Sequence, residues 1–378
     1  MTHNIENSKN TLTALMMKVQ DQAARSADFL TPTNDLQKTT TLDGKPQVVI
    51  EANRGVPTKR FDINDTAFGQ IATHAGIDTR TARRLQSNYP REFDTLTNAI
   101  WQKEPTRRML RTHLDTRYGS ETDGTARAFV SDKFKTFDNK NLLEACLPQL
   151  IDNPAQFQVV SADVSEKRMY LRLKSLEQLG TGANVGDHMA NGIGFGNSEV
   201  GAGSVTVYQI AWTLACLNGM QTQNKTRSSH ITSARDGDDW GLLSDDAKNA
   251  DNRALELKLR DLVGHYSSRE TFDDICQQMR DAAADVIEGV ATDVTDVVNN
   301  LGRVMQLTKK ENSDVLNGLM ATIGQAGYEN SRPLSRATLV NAVTAVSHRA
   351  DIDDVDTWQQ RGGQLLNMSA RDWQRVAA

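Results

Sequence analysis

Positively charged and aromatic side chains are interleaved between residues 107 and 135, a combination that suits single-stranded nucleic acid. Guanidinium and ammonium groups neutralise phosphates, and aromatic rings stack on bases. The residues expected to bind are Arg107, Arg108, Arg111, Arg117, Arg127, Lys133, Lys135 and Phe134. We expect Phe134 to be the most exposed stacking candidate. The alternative is that the phenylalanines are core residues and that the long charged side chains extend past them to solvent.

A second polar group, formed by Lys225, Arg227 and His230, follows an apolar run and precedes an acidic stretch. The dipeptide Asn218-Gly219 before it is a turn signal. We expect these three side chains to contribute phosphate contacts. The alternative is the solvated tip of a hairpin.

A change of period over residues 66–89 predicts two short helices joined by a tight turn. Arg80, Arg83 and Arg84 are close together on the second helix because their spacing is three or four residues. Such a helix can contact phosphates or read guanine edges, and the alternative is a solvated helix face.

Signatures of catalysis, cofactor binding and metal binding do not occur in the sequence. The glycine-rich stretch over 192–204 matches neither the dinucleotide fingerprint nor the phosphate-binding loop, and it favours turns and bulges in a sheet. The seven histidines are dispersed, and the acidic pairs are adjacent residues that diverge on a helix. We therefore predict no catalytic residue, cofactor or metal. A hydrolase or nuclease assembled from distant residues stays open.

Hydrophobic periodicity predicts an α+β fold: a mixed antiparallel sheet with helices, followed by a mainly helical C-terminal third. Strands are expected at 47–50, 107–114 and 125–130, with a hairpin at 157–173. Residues 57–140 hold 15 Lys/Arg against 11 Asp/Glu, whereas residues 231–300 hold 7 against 16. We therefore expect a polar, flexible N-terminal segment at 1–35, an α+β core at 36–235 and a helical region at 236–378.

The overall composition excludes a uniformly basic nucleic-acid coat, because the 378 residues carry a net charge of −5. A local basic face is compatible with that value. Cys146, Cys216 and Cys276 lack metal or redox spacing and are expected to be buried free thiols. The N-terminus lacks a signal-peptide pattern, and the most apolar window, at 204–220, is too polar to span a bilayer. We expect a cytoplasmic protein.

The chain resembles the phage- and plasmid-like family catalogued as domain of unknown function 932. The resemblance covers about residues 60–365 and rests on short motifs in a fixed order. These motifs are Ala128 to Phe134 with Asp138-Asn139, Met169 to Leu173, Gly192 to Gly201 with Asn-Ser-Glu-Val-Gly, Cys216 to Met220 with Cys-x-Asn-Gly-Met, Leu339 to Thr344, and Gly362-Gly363. The resemblance implies an accessory gene of mobile DNA and no established activity.

We expect a DNA-binding accessory protein of a phage or plasmid, non-enzymatic and homo-oligomeric. It would bind or anneal single-stranded DNA in recombination or replication, in the cytoplasm of the host cell. The alternative is an anti-defence or interaction protein that engages a host protein partner through its acidic helical region, residues 236–246 above all.

Overall fold

A computed structural model describes residues 2–51, 57–117, 119–151, 153, 155–182, 188–213, 218–228, 243–287, 294–323, 334–350 and 352–378 of the chain. The fold is α+β, as predicted: two sheets occupy the N-terminal two-thirds, and the C-terminal region is mostly helical. The predicted domain boundary at residues 235 and 236 lies outside the described residues.

The first sheet has six strands in the order β1-β5-β6-β4-β3-β2. Its strands are β1 (Ser26–Pro32), β2 (Leu36–Thr40), β3 (Pro46–Ile50), β4 (Lys59–Ile63), β5 (Arg107–Leu114) and β6 (Gly124–Ser131). In this sheet β4 and β6 pair in parallel, whereas the other neighbouring strands are antiparallel. A parallel pair needs a long connection, and the one between β4 and β6 contains three helices. The two predicted strands at 107–114 and 125–130 are confirmed.

Three helices cover one face of the first sheet: α2 (Asp65–His74), α3 (Thr79–Asn88) and α4 (Pro90–Lys103). Asn64 caps α2 and Asp78 caps α3 by accepting a backbone hydrogen bond. Phe61 of the sheet and Phe93 and Trp101 of α4 are fully buried between the layers. The predicted helix pair is confirmed, and the tight packing holds α2 rigidly against β6.

The second sheet is antiparallel throughout, in the order β11-β10-β9-β8-β7. Its strands are β7 (Phe157–Val164), β8 (Met169–Thr181), β9 (His188–Asn197), β10 (Val205–Thr213) and β11 (Asn218–Ser228). A hydrophobic core joins one face to α1 (Thr2–Arg25), α5 (Asn139–Cys146), α6 (Pro148–Ile151) and α7 (Asp245–Tyr266). The predicted hairpin is formed by β7 and β8.

Glycines of β9 lie on the opposite face of the second sheet. A Cβ added at Gly194 would lie 2.1 Å from the ring of Tyr208, so glycine is needed for the tyrosine to lie flat. Asp356 lies over this face and accepts hydrogen bonds from Arg172, Tyr208 and Gln221.

Six helices complete the chain: α8 (Arg269–Ala284), α9 (Val294–Val304), α10 (Lys309–Ile323), α11 (Arg336–Ala345), α12 (Ile352–Leu366) and α13 (Ala370–Ala377). Helix α12 contacts β11 and carries Asp356. Cys146 and Cys276 are buried free thiols, as predicted, and Cys216 lies outside the described residues. Within the described part of the chain, no helix has the length and apolar character needed to cross a membrane.

Candidate nucleic-acid interface

A cleft of about 760 Å³ lies where the first sheet meets the second, and we call it the junction cleft. One wall is α2 with the start of α3. A second is formed by the ends of β5 and β6, and a third by two turns of the second sheet. Its lining residues are Thr66, Gly69, Gln70, Thr73, His74, Thr79, Arg108, Phe129, Val130, Ser131, Lys133, Phe134, Lys167, Gly201 and Ala202.

Gln70 of α2 positions two of these walls. Its side-chain oxygen accepts a 2.7 Å hydrogen bond from the backbone N–H of Phe129, and its amide nitrogen donates a 2.7 Å bond to the carbonyl of Val200. Both bonds are made by a single side chain, so α2, β6 and the turn after β9 hold one fixed arrangement.

Aromatic packing stiffens the apolar side of the cleft. Phe129 stacks on Trp101 with ring centroids 5.7 Å apart, and His74 meets Phe129 edge-on at 5.4 Å. The guanidinium of Arg108 lies 5.8 Å from the centre of the same ring. Offset and edge contacts of this kind are favourable, and they hold the Phe129 ring in place.

The charge of the junction cleft is positive. Arg108, Lys133 and Lys167 line it, and neither aspartate nor glutamate occurs among the lining residues that the structure describes. Burial, followed by the charge of Arg108, lowers the pKa of His74, so its imidazole is neutral at neutral pH. Burial also lowers the pKa of Arg108, opposed by Asp132 outside the lining. Arg108 keeps its positive charge at pH 7, because the ordinary pKa of arginine lies far above 7.

Hydrogen-bonding capacity is left unused at this site. Thr66 Oγ1, His74 Nδ1 and Arg108 Nε are buried atoms without a hydrogen-bond partner among the described residues. Buried polar atoms are nearly always satisfied in folded proteins, and those that are not tend to mark functional sites. The lining of the cleft combines positive charge with an apolar wall, so the cleft can accept a ligand that has an anionic group and an apolar ring.

Three of the predicted binding residues, Arg108, Lys133 and Phe134, come together in the junction cleft. The prediction that Phe134 is exposed is wrong: its side chain is 4% exposed because it packs with Val130 and Val200 between the sheets. Phe129 and Phe137 are also buried. The alternative that the phenylalanines are core residues is therefore confirmed.

Arg111 and Arg127 were predicted to bind nucleic acid at the surface, but both are buried. Arg111 is 1% exposed, and it donates to Asp28 at 2.9 Å, to Asp138 at 2.8 Å and to the Glu199 carbonyl at 2.8 Å. Burial opposes its charge, but Asp138 and Asp28 outweigh burial and raise its pKa. Arg127 pairs with the buried Glu199 carboxylate. Both arginines join the first sheet to the turn after β9 and do not present a free cation to phosphate.

Arg107, Arg117 and Lys135, which were also predicted to bind, do not line the cleft. Lys135 is bound to Asp251 of α7. Arg117 lies beyond the far end of β5, where it pairs with Asp115 at 2.6 Å, and Arg107 is exposed at the start of β5 without lining the cleft. Lys225 and Arg227 belong to β11, and His230 lies outside the described residues. A continuous basic groove over 107–135 is therefore not formed.

Several lining residues were not predicted. Thr66, Gln70 and His74 are spaced four residues apart along α2, whereas Lys167 lies far along the chain from them, and none of the four belongs to a motif. The sequence offered one indication of this site. The turn residues at 165–168 and the glycines after Glu199 belong to the two segments of the second sheet that contact the first sheet. Arg83, on the helix that can contact phosphates, forms an exposed ion pair with Asp65 at 3.1 Å and does not line the junction cleft.

No cluster of metal-ligating side chains occurs among the described residues, and the acidic residues 236–242 lie outside them. The chain was compared with protein-family models, with curated proteins and with solved structures, and none of the three comparisons finds a match.

Proposed function

We propose that the protein binds single-stranded nucleic acid and that a nucleotide of the strand enters the junction cleft. The observation that carries the proposal is the lining of the cleft, which combines three cations, exposed polar side chains such as Thr73 and Ser131, and an apolar wall, without a carboxylate among its described residues. Nucleotides need these features together, because each one carries a phosphate, polar base edges and an apolar ring face.

The shape of the cleft favours one nucleotide over a row of stacked bases. Lys133 and Lys167 are exposed residues at the mouth, whereas Phe129 and Val130 are buried at the wall. A base that enters meets the apolar wall, and its phosphate stays at the mouth near the two ammonium groups. A volume of about 760 Å³ falls in the range typical of small-ligand sites.

Single strands are favoured over duplex because a base inside a duplex is stacked and paired. Bringing it into a concave site costs a few kcal/mol of unstacking, which a single strand largely avoids. The net charge of −5 repels the rest of the nucleic acid, so binding depends on the local cations and weakens with salt.

The biological setting belongs to the same proposal. The resemblance of short motifs in the sequence to the phage- and plasmid-like family is what suggests a DNA-binding accessory protein that acts in recombination or replication in the host cytoplasm. An oligomer of this chain, with one cleft per copy, would hold a strand at regular intervals and gain affinity through multivalency.

Fluorescence anisotropy with a labelled oligodeoxythymidylate tests the proposal. If two or three phosphates are neutralised, log K should fall against log salt with a slope of about −1.4 to −2.1. The double variant Lys133→Gln/Lys167→Gln should bind at least about tenfold more weakly near 50 mM salt, because both ammonium groups at the mouth are lost.

The matched control removes two cations elsewhere. Arg117→Gln/Arg303→Gln changes the net charge by the same amount, at the far end of β5 and on α9. This variant should bind like the wild type. Equal weakening in both double variants would mean that the net charge governs binding and not the cleft, and undetectable binding by the wild type would refute the proposal.

A further inference from the structure

A second cleft, of about 350 Å³, lies beside the junction cleft, and we call it the side cleft. It is bounded by the last turns of α1, by β5 and β6 of the first sheet, and by the turn between β7 and β8. The residues that matter for its chemistry are Lys18, Arg25, His113, Arg127, Lys167 and Arg168.

The two clefts are neighbours on either side of one hairpin turn. Lys167 in that turn lines both of them, and Val200 of the side cleft is followed in the chain by Gly201 of the junction cleft. Glu166 accepts a 3.3 Å hydrogen bond from Asn64, which anchors the turn to the start of α2. A ligand that leaves the junction cleft over Lys167 therefore reaches the side cleft next.

The described lining of the side cleft is cationic and contains no phenylalanine, tyrosine or tryptophan, so its one aromatic side chain is the imidazole of His113. Lys18, Arg25, Lys167 and Arg168 supply the positive charge, whereas the charge of Arg127 is paired with Glu199, and Glu166 is the second carboxylate of the lining. Both Glu199 oxygens are already used, one by Arg127 and the other by the backbone N–H of Asn139. Because several cations line the cleft and its one ring, the imidazole of His113, is partly buried, the site suits a phosphate group better than a base.

The cations at the mouth are held by exchangeable partners. Arg25 pairs with Asp21. Lys18 lies 3.7 Å from Asp163, with half of each side chain exposed, and it also donates a 2.5 Å hydrogen bond to the carbonyl of Val164. Exposed pairs of this kind contribute little free energy, so a phosphate can compete for both cations.

Unsatisfied donors mark the inner end of the side cleft. Arg127 is only 7% exposed, and its Nε has no hydrogen-bond partner among the described residues. Nε2 of His113, on the neighbouring strand, also lacks one there. The protein thus keeps buried polar atoms at this site that its own groups do not satisfy.

We propose that the side cleft binds a backbone phosphate of the strand whose base occupies the junction cleft, with Lys167 between the two. This inference rests on the proposed function and extends it. The binding site then spans at least two phosphates, and residues of both sheets contact them. The chemical class of the ligand is a phosphodiester in a single strand.

Anisotropy with the labelled oligodeoxythymidylate across a salt series tests the inference. The variant Lys18→Gln/Arg25→Gln should lose one phosphate contact, so the slope of log K against log salt should become less negative by about 0.7. Arg117→Gln/Arg303→Gln is the charge-matched control and should keep the wild-type slope. Thermal melting of each variant verifies that it is folded.

A second variant should raise the affinity for the oligonucleotide, and it replaces carboxylates instead of cations. Asp21→Asn/Asp163→Asn removes the carboxylates that compete for Arg25 and Lys18, so it should tighten binding more than Asp372→Asn/Asp314→Asn, a control on α13 and α10.

The outcomes separate the two proposals. If Lys133→Gln/Lys167→Gln weakens binding while both side-cleft variants match their controls, the side cleft is not a phosphate site and the junction cleft still is. If the wild type does not bind the oligonucleotide at all, both proposals are wrong.

Discussion

Gln70 on α2 donates a 2.7 Å hydrogen bond to the carbonyl oxygen of Val200, and this bond ties the helical layer of the first sheet to the turn after β9 of the second. The same side chain accepts from the N–H of Phe129. The junction cleft therefore depends on one amide that satisfies a backbone donor and a backbone acceptor together.

Gln70→Ala should lower the free energy of unfolding by about 1–3 kcal/mol, because it leaves polar backbone groups unsatisfied in a buried place. It should also weaken oligonucleotide binding, since two walls of the cleft lose their link. Urea unfolding measures the first effect and anisotropy the second. Gln102→Ala is the control: Gln102 is exposed and donates only to the Asn34 carbonyl, so its loss should cost less than about 0.5 kcal/mol.

Asp356 is the centre of a buried polar network, and Asp356→Ala should be strongly destabilising. Its carboxylate accepts from Arg172 at 2.7 Å, from Tyr208 at 2.9 Å and from Gln221 at 2.9 Å. Removing it leaves the Arg172 charge buried and unpaired, which costs about 3–5 kcal/mol. Urea unfolding of Asp372→Ala provides the comparison, because the Asp372–Arg375 pair is exposed and contributes at most about 1 kcal/mol. Similar losses in the two variants would contradict this view of the network.

The glycines of β9 predict a large effect at Gly194. A Cβ there would lie 2.1 Å from Tyr208, so Gly194→Ala must displace a fully buried ring and should cost about 1–3 kcal/mol or more. Gly264→Ala is a matched control on α7, where an added Cβ meets nothing within 4 Å. That control should instead stabilise the protein by up to about 1 kcal/mol, because alanine is the better helix former. The melting temperatures of the two variants should therefore move in opposite directions.

His113 should make stability depend on pH in the acidic range. Burial, followed by the charges of Arg127, Arg25 and Arg111, lowers its pKa to about 4, below the ordinary value of 6.5. A histidine with a depressed pKa binds a proton more readily when unfolded, so its contribution is present above pH 6.5 and is lost as the pH falls towards 4. The urea midpoint of His113→Gln should therefore fall less between pH 7 and pH 5 than that of the wild type. His188→Gln, at an exposed strand end, should follow the wild-type curve.

Local patterns in the sequence predicted much of the fold. The amphipathic run with Leu15 and Val19 lies in α1, where both residues are buried, and the alternation of residues 107–111 places Met109 and Leu110 on opposite faces of the first sheet. Such periods follow from the geometry of helices and strands alone. Elements without a clean period in the sequence were missed. In β1 the apolar residues Phe29 and Leu30 are adjacent, so the polarity of the sequence does not alternate although the burial of the strand does. Asn218-Gly219 is a turn signal in the sequence, but it begins β11.

The binding site was predicted only in part because ion pairing depends on residues far along the chain. Arg111 meets Asp28, 83 positions earlier, and Arg127 meets Glu199, 72 positions later. A local cluster of basic residues does not reveal which distant acidic residues they pair with. In the sequence, an arginine that joins the two sheets therefore cannot be distinguished from one that is exposed to solvent. Arg108 and Lys133 were identified by composition, whereas Gln70, His74 and Lys167 were brought to the cleft by the packing of the two sheets.

Photo-crosslinking tests most directly whether the junction cleft holds nucleic acid. An oligodeoxythymidylate containing 4-thiothymine is bound to the protein, irradiated, and the attached peptides are identified by mass spectrometry. We predict that the crosslinks fall on the lining of the cleft, in the segment from Phe129 to Phe134, at His74 or at Lys167, and that unlabelled strand competes for them. Crosslinks confined to α8 through α13, or crosslinks that an excess of unlabelled strand does not reduce, would contradict the assignment of this cleft as the interface.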